Sequence, residues 1–209
     1  MTPELTDVLD ELGGLTPYFA LPREAPAGSP ARPTRLLLDD DVAAELFAGA
    51  LETLSTTELR VAVSWVFFDY AAHLWSVALG AAAAGVCVGL DPDEICWSVV
   101  PGGLVLSVDD PRPGDDPVVE VLDRQLTPLV DSWRRWVSAG LLWGNAASAA
   151  RSSGNILGER AAALTDRVLD DPRLRGRLRP GDDRRLSCCL YYRTAAGGYC
   201  GDCALTPAQ

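Results

Sequence analysis

Cys188, Cys189, Cys200 and Cys203 fall within 16 residues of one another, in the order C-C-x10-C-x2-C. Four thiolates this close make a complete ligand set for a soft metal centre. In Cys200-Gly201-Asp202-Cys203 the two intervening residues let both sulfurs reach one centre, and Gly201 lets the backbone turn tightly. Gly197-Gly198 gives the intervening loop the freedom to bring the two pairs together. Three occupants suit the spacing. A single tetrahedral zinc usually draws both pairs from short knuckles with a spacer between the cysteines. The adjacent Cys188-Cys189 fits that poorly, because consecutive side chains diverge along extended backbone. A two-iron cluster is a wider target, with two metals bridged by sulfide. A thioredoxin-like dithiol is the third, but it wants its first cysteine at a helix N-terminus within a βαβ unit. Only six residues follow Cys203 in this sequence.

The rest of the chain offers little other chemistry. His73 is the one histidine and lies in an apolar run, which predicts a buried structural residue. No Ser-His-Asp set, Walker pattern or G-x-G-x-x-G is visible, so neither a nicotinamide nor a flavin site is expected. Cys87 and Cys96 read as buried apolar thiols. The net charge of −11 argues against nucleic acid as a partner. That average hides an asymmetry. Residues 1–170 carry 11 Arg against 25 acids, whereas residues 171–209 carry seven Arg against four. The cysteine-bearing end is therefore basic, an electropositive surround for thiolates or bound anions. All 18 basic residues are Arg, which reads as coding bias before chemistry.

The first residues, MTPELTDVLDELGG, hold no basic stretch followed by an apolar one, so no secretory signal is expected and the reading is cytoplasmic. Clustered cysteines there point to metal or redox work rather than to disulfides. Residues 70–90 contain no Asp, Glu or Arg and are long enough to span a bilayer. They are mostly Ala and Gly, so a buried helix is expected, with no transmembrane span and room only for peripheral membrane contact.

The elements that must position these residues follow from periodicity. A short helix is predicted over 3–12, ended by Gly13-Gly14, then an irregular Pro-rich loop over 17–35. Leu36–Leu38 reads as a short extended piece, and Asp39–Asp41 start the next helix. Thr56 or Thr57 should cap a long helix over 57–84 that is apolar on most sides and hence central. Residues 86–108 read as a β-hairpin turning at Pro101-Gly102-Gly103. Helices follow at roughly 118–139, 141–152 and 156–170, with a short Arg-rich one at 172–178. The fold class is α+β: a mainly helical single domain with a small hairpin or sheet and an irregular C-terminal segment, for which an iron–sulfur site is one expected occupant. The division expected is a body over 1–180 and a cysteine-bearing segment over 181–209. Trp65, Trp75, Trp133 and Trp136 read as core, while the Trp133-Arg134-Arg135-Trp136 run also suits a binding surface.

The tail has a further signature, with Tyr191-Tyr192-Arg193 after the first cysteine pair and Gly197-Gly198-Tyr199 before the second. It resembles the FhuF-like ferric-siderophore reductases, closely over 188–203 and more loosely over much of 36–180, where Trp143-Gly144-Asn145 and the Ala-rich helix after it are similar. The resemblance implies a [2Fe–2S] cluster on Cys188, Cys189, Cys200 and Cys203. It also implies one-electron reduction of ferric, hydroxamate-type siderophores in the cytoplasm. Hard oxygen donors hold Fe(II) far more weakly than Fe(III), so one electron releases the iron. On that chemistry a one-electron carrier suffices, no proton-transfer machinery is needed, and a separate donor of ferredoxin, flavodoxin or reductase type supplies the electron. Arg184, Arg185, Tyr192 and Arg193 are the candidates for docking substrate or donor, and Tyr191, Tyr192 and Tyr199 for shielding the cluster. Two other readings stand beside this one: an iron–sulfur electron-transfer or sensor protein, and a zinc-stabilised accessory protein.

Overall fold

The computed structural model describes residues 3–206. Its centre is α3, Leu59–Ala83, in which 19 of 25 residues are buried. A helix apolar on every side has no wet face, so the rest of the chain must wrap it. α1 (Leu5–Gly13), α2 (Asp40–Thr53), α5 (Ala139–Leu157) and α6 (Glu159–Leu169) all pack on it, as does strand β3. The α3–α5 crossing is the most extensive. It is lined by small residues such as Ala71, Ala78, Ala146, Ala147 and Ala150, all essentially inaccessible, which lets the two backbones approach closely. Ser76 and Ser153 hydrogen-bond across it at 2.8 Å. By length and composition α3 is the one helix among the described residues that could cross a membrane, and 78% of its most apolar stretch is buried inside the domain.

The sheet has three antiparallel strands in the order β1 (Arg32–Pro33), β2 (Cys96–Val100), β3 (Gly103–Ser107). Cys96 faces Ser107 and Val100 faces Gly103 across the tight turn. Trp97, Leu104 and Leu106 point inward. The α+β class and the hairpin are as expected, and the Pro-rich loop contributes the third strand.

Several boundaries differ from the sequence reading. Leu36–Leu38 is not extended: Thr34–Leu38 is a 3-10 turn, which buries Leu37 and gives its carbonyl to the Trp133 indole at 3.0 Å. α2 starts as expected, with the Asp39 carboxylate accepting from Asp41 N and Val42 N. α3 starts instead at Leu59, where Glu58 caps without a side-chain bond. Val118–Leu126 winds as a π-helix that runs into α4 (Thr127–Trp133). α5 and α6 meet at Gly158, whose φ of 69° breaks the helix. The Arg-rich 172–178 stretch forms turns, not a helix. Trp75 and Trp133 are fully buried, whereas Trp65 and Trp136 are only partly so.

Candidate functional site

The tail crosses α3 and α5 and is held there by a buried polar strut. Arg185 is 2% exposed, unusual for an arginine and tolerable only when every donor is answered. Its Nη1 donates to Asn145 Oδ1 at 2.6 Å, its Nη2 to Asp202 Oδ1 at 2.8 Å, and its Nε lies 2.6 Å from Asp202 Oδ2. Its guanidinium stacks over Phe68, 5.2 Å from the ring centre. Nη2 also reaches Cys200 Sγ at 3.3 Å. Asn145 in turn donates to Ser64 O at 2.9 Å and Ser64 Oγ at 3.0 Å, and Ser64 Oγ donates to the Cys189 carbonyl at 2.7 Å. Ser148 hydrogen-bonds Asp202. Two helices thus hold both arms of the cysteine loop through one continuous network. Gly144 makes room for it: a Cβ there would lie 2.0 Å from Ser187 Oγ.

The cysteines come together in part. Cys189 Sγ and Cys200 Sγ are 3.5 Å apart. Tetrahedral ligands at metal–sulfur distances of about 2.3 Å stand about 3.8 Å from each other, so this pair is set for one metal. Among the described residues no three His, Cys, Asp or Glu side chains gather around a single point. The Cys188 sulfur accepts from Leu190 N at 3.3 Å and the Cys203 sulfur from Leu205 N at 3.4 Å. Such N–H···S bonds favour thiolate and are among the levers on a cluster's potential. Leu190 takes a left-handed φ of 69° to make its bond. Cys203 N closes a turn on Cys200 O at 3.1 Å.

Electrostatics agree. The hydrogen bond from Cys200, then Arg185, pull the Cys189 thiol down to about 6. The same bond, with burial, pushes Cys200 up, so the pair shares one proton. Burial raises Cys188. Burial also works to raise Asp202, but Arg185 and Ser148 outweigh it and hold its carboxyl below the usual range. Cys203 is 2% exposed and the other three are half-buried, so one side of the set faces outward.

A cleft of 670 Å³ opens on Cys189 and Cys200. That volume falls within the ~300–1,000 Å³ of small-molecule sites. α3 supplies Ser64, Trp65, Phe68 and Asp69 to its walls, α5 supplies Arg151, Ser152 and Asn155, and the tail supplies Asp183, Arg185, Tyr191 and Asp202. Tyr18 and Gly102 close the far end.

Residues 185–205 match the family model described as the FhuF 2Fe-2S C-terminal domain. The tail is similar to that domain, over 21 of the 209 residues. Its cofactor is a [2Fe–2S] cluster, and the donor set just described fits one. No curated protein and no solved structure matches the chain. The match to the FhuF-type domain begins at Arg185, the strut residue, and extends past the last cysteine.

The other expected site residues are dispersed. Arg185 faces inward, so it offers no charge to a docking protein; its place in the sequence is that of a solvated Arg-Arg pair, but Asp202 draws it into the interior. Arg184 donates to the Thr206 carbonyl at 3.0 Å. Arg193 binds Glu58 at 2.7 Å beside Tyr192, which is exposed at the rim. Tyr199 is 67% exposed and stands in solvent, so it does not cover the sulfurs; Tyr191 lines the cleft. Cys87 and Cys96 are half-buried rather than core. His73 is buried as expected, but not among apolar groups alone. Sequence reasoning missed Asp69, Tyr18, Ser64, Ser148 and the pairing of Arg185 with Asp202. One signal was available: Asp69 is the single acid between Glu58 and Asp91, one helical turn before His73.

Proposed function

We propose that this protein reduces ferric siderophores by one electron in the cytoplasm, through a [2Fe–2S] cluster held by Cys188, Cys189, Cys200 and Cys203. The observation that carries this reading is the opening of the cleft directly onto Cys189 and Cys200. When bound, the cluster supplies a single electron at that wall. The chain's own residues do the rest. Trp65, Phe68, Tyr18 and Tyr191 offer flat apolar surface against which a chelate can lie. Arg185 and Asn145 fix the cysteine loop against α3 and α5, so the electron-delivering wall does not move relative to the bound complex.

The charges favour a neutral, hydroxamate-type complex. Both arginines in the cleft are already answered, Arg185 by Asp202 and Arg151 by Asp166 and Asp183. Asp69 adds a further acid. No surplus positive charge is left to hold a highly anionic tris-catecholate. The half-buried cysteine set and the exposed Tyr192 rim support entry of electrons from a separate donor protein.

The test starts with colour. The purified protein is expected to be red-brown, with two irons per chain and absorbance bleached by dithionite. Serine at any of the four tail cysteines removes the colour, and serine at Cys87 or Cys96 leaves it. The reduced protein, mixed with ferrioxamine B and a Fe(II) chelator, releases trapped Fe(II). A colourless protein holding one zinc and no iron overturns the reading. An intact cluster that reduces no ferric complex leaves an electron-transfer or sensor protein in its place.

A further inference from the structure

The end of the cleft away from the cysteines holds a buried acid–base pair. Asp69 and His73 stand one turn apart on α3 and are 5% and 3% exposed. Asp69 Oδ1 accepts from the Tyr18 hydroxyl at 3.0 Å, and Oδ2 accepts from Leu104 N at 2.7 Å. The hairpin turn closes over it, so tightly that a Cβ on Gly103 would sit 2.6 Å from Oδ2. The Tyr18 ring lies 4.7 Å from the His73 ring, and His73 Nδ1 has no partner. Asp69 and Tyr18 line the same cleft as Cys189 and Cys200. Asp69 is five residues from Ser64, the residue that holds Cys189, about 7.5 Å along the helix axis.

A carboxyl and an imidazole buried one helical turn apart are both expensive to charge. Burial raises the Asp69 carboxyl, against Leu104 N, His73 and Tyr18, and lowers the His73 imidazole, against Asp69. Both directions favour the uncharged form of each group, so the acid that lines the cleft holds a proton. The other ionisable groups facing this space are Tyr18 from the 3-10 turn at Pro17–Phe19, Arg151 from α5, and Asp183, Arg185, Cys189, Tyr191, Cys200 and Asp202 from the tail. The hairpin contributes the backbone N–H of Leu104.

We propose that Asp69, oriented by the Tyr18 hydroxyl and Leu104 N, is the proton donor to the siderophore oxygen that leaves iron on reduction. The inference rests on the reading of the protein as a ferric-siderophore reductase. One electron reaches Fe(III) and makes Fe(II). The Fe–O bond to one chelating oxygen breaks, its electron pair stays on oxygen, and that oxygen takes the proton from Asp69. Solvent in the open cleft, which Asp69 lines, returns a proton to it. Without the proton the freed oxyanion rebinds the metal. The site thus couples one electron from the cysteine wall to one proton from the opposite end.

The experiment is a single turnover of dithionite-reduced holoprotein with ferrioxamine B and a Fe(II) chelator, across pH. The wild-type rate is expected to fall as pH rises and Asp69 loses its proton. Asp69→Asn should be slower by about 100-fold or more with a flattened pH profile, the usual loss for a general acid. Tyr18→Phe removes the hydrogen bond that orients Asp69; it should slow the reaction about 10-fold and move the pH midpoint up, which a merely structural residue would not do. A second readout needs no turnover. His73 is the single histidine, so its imidazole gives one NMR titration, and Asp69→Asn should lower its midpoint. Cluster-replete Asp69→Asn with wild-type rate and pH profile overturns the proposal. If Asp69→Asn does not fold, wild-type rate and profile in Tyr18→Phe overturn it. A wild type that reduces no ferric complex fails earlier, at the proposed function, and the proposal falls with it.

Discussion

Arg185 is placed to set the potential of the cluster, and the effect can be bounded. Its Nη2 lies 3.3 Å from Cys200 Sγ, and its own side chain is buried at the cleft wall. Reduction adds one negative charge, so a donor aimed at a ligand sulfur stabilises the reduced state more than the oxidised one. A hydrogen bond to a charged group is worth about 1.5–3 kcal/mol, and about 1.4 kcal/mol corresponds to 59 mV for one electron, giving a ceiling of about 60–130 mV. The bond exists in both redox states, so the observed shift is part of that ceiling. Removing Arg185 alone confounds two effects, because Asp202 would be left buried and unpaired, at about 3–5 kcal/mol. Arg185→Met combined with Asp202→Asn removes one charge of each sign and isolates the N–H···S bond. Spectroelectrochemical titration of this double variant should give a potential lower by tens of millivolts, still under about 130 mV. Arg185→Met alone should fall further, since the Asp202 charge then acts unopposed. A folded, cluster-replete double variant within about 10 mV of wild type would refute the assignment, because that is a fraction of a kcal/mol.

Two further outcomes follow from the same contacts. Gly144→Ala places a methyl 2.0 Å from Ser187 Oγ, one residue before the first cysteine. Overpacking of this kind costs about 1–3 kcal/mol, so iron content should drop while helical circular dichroism persists, and Ser187→Gly should restore the iron; full iron in the alanine variant would show that the tail does not seat there. Asp171 lies against Arg173 at 2.8 Å, and that hydrogen bond holds its carboxyl below the ordinary range. A lowered carboxylate stabilises the fold above its unfolded value near 3.9 and loses that effect as pH falls through the folded value. Asp171→Asn should therefore lower Tm by about 2–4 °C at pH 7, with the gap closing toward pH 3, and a gap constant across that span would exclude this pair as its source.

The resemblance of the cysteine tail to the FhuF-type domain was legible because such a motif is carried by residue type and local spacing. The hairpin, the central helix and the start of α2 were legible for the same reason: each is a pattern over a few consecutive residues. Leu36–Leu38 was not, because three leucines in a row fit an extended piece and a 3-10 turn alike. The choice is made by Trp133, 96 residues away, whose indole needs the Leu37 carbonyl. Arg185 shows the same limit in the site itself. In the sequence it is one of a pair of arginines at a basic end; in the fold it is the most buried of the tail's charges. The partners that make it so, Asn145 and Asp202, lie 40 and 17 residues away.

Asp69 carries the point furthest. The absence of a catalytic constellation followed from reading His73 against its immediate neighbours, which are apolar. A carboxylate four residues earlier faces the imidazole only if the segment is helical, and it reaches a cleft only if the hairpin and the cysteine tail form the other walls. Each of those conditions was individually legible: the helix, the hairpin and the tail. Their product was not, because the cleft is made by three segments that share no local pattern. The electron-carrying half of the site is therefore written in spacing, while the proton-carrying half is written in packing. A search for chemistry in such chains gains most by asking which buried acids face the same space as the ligand cysteines.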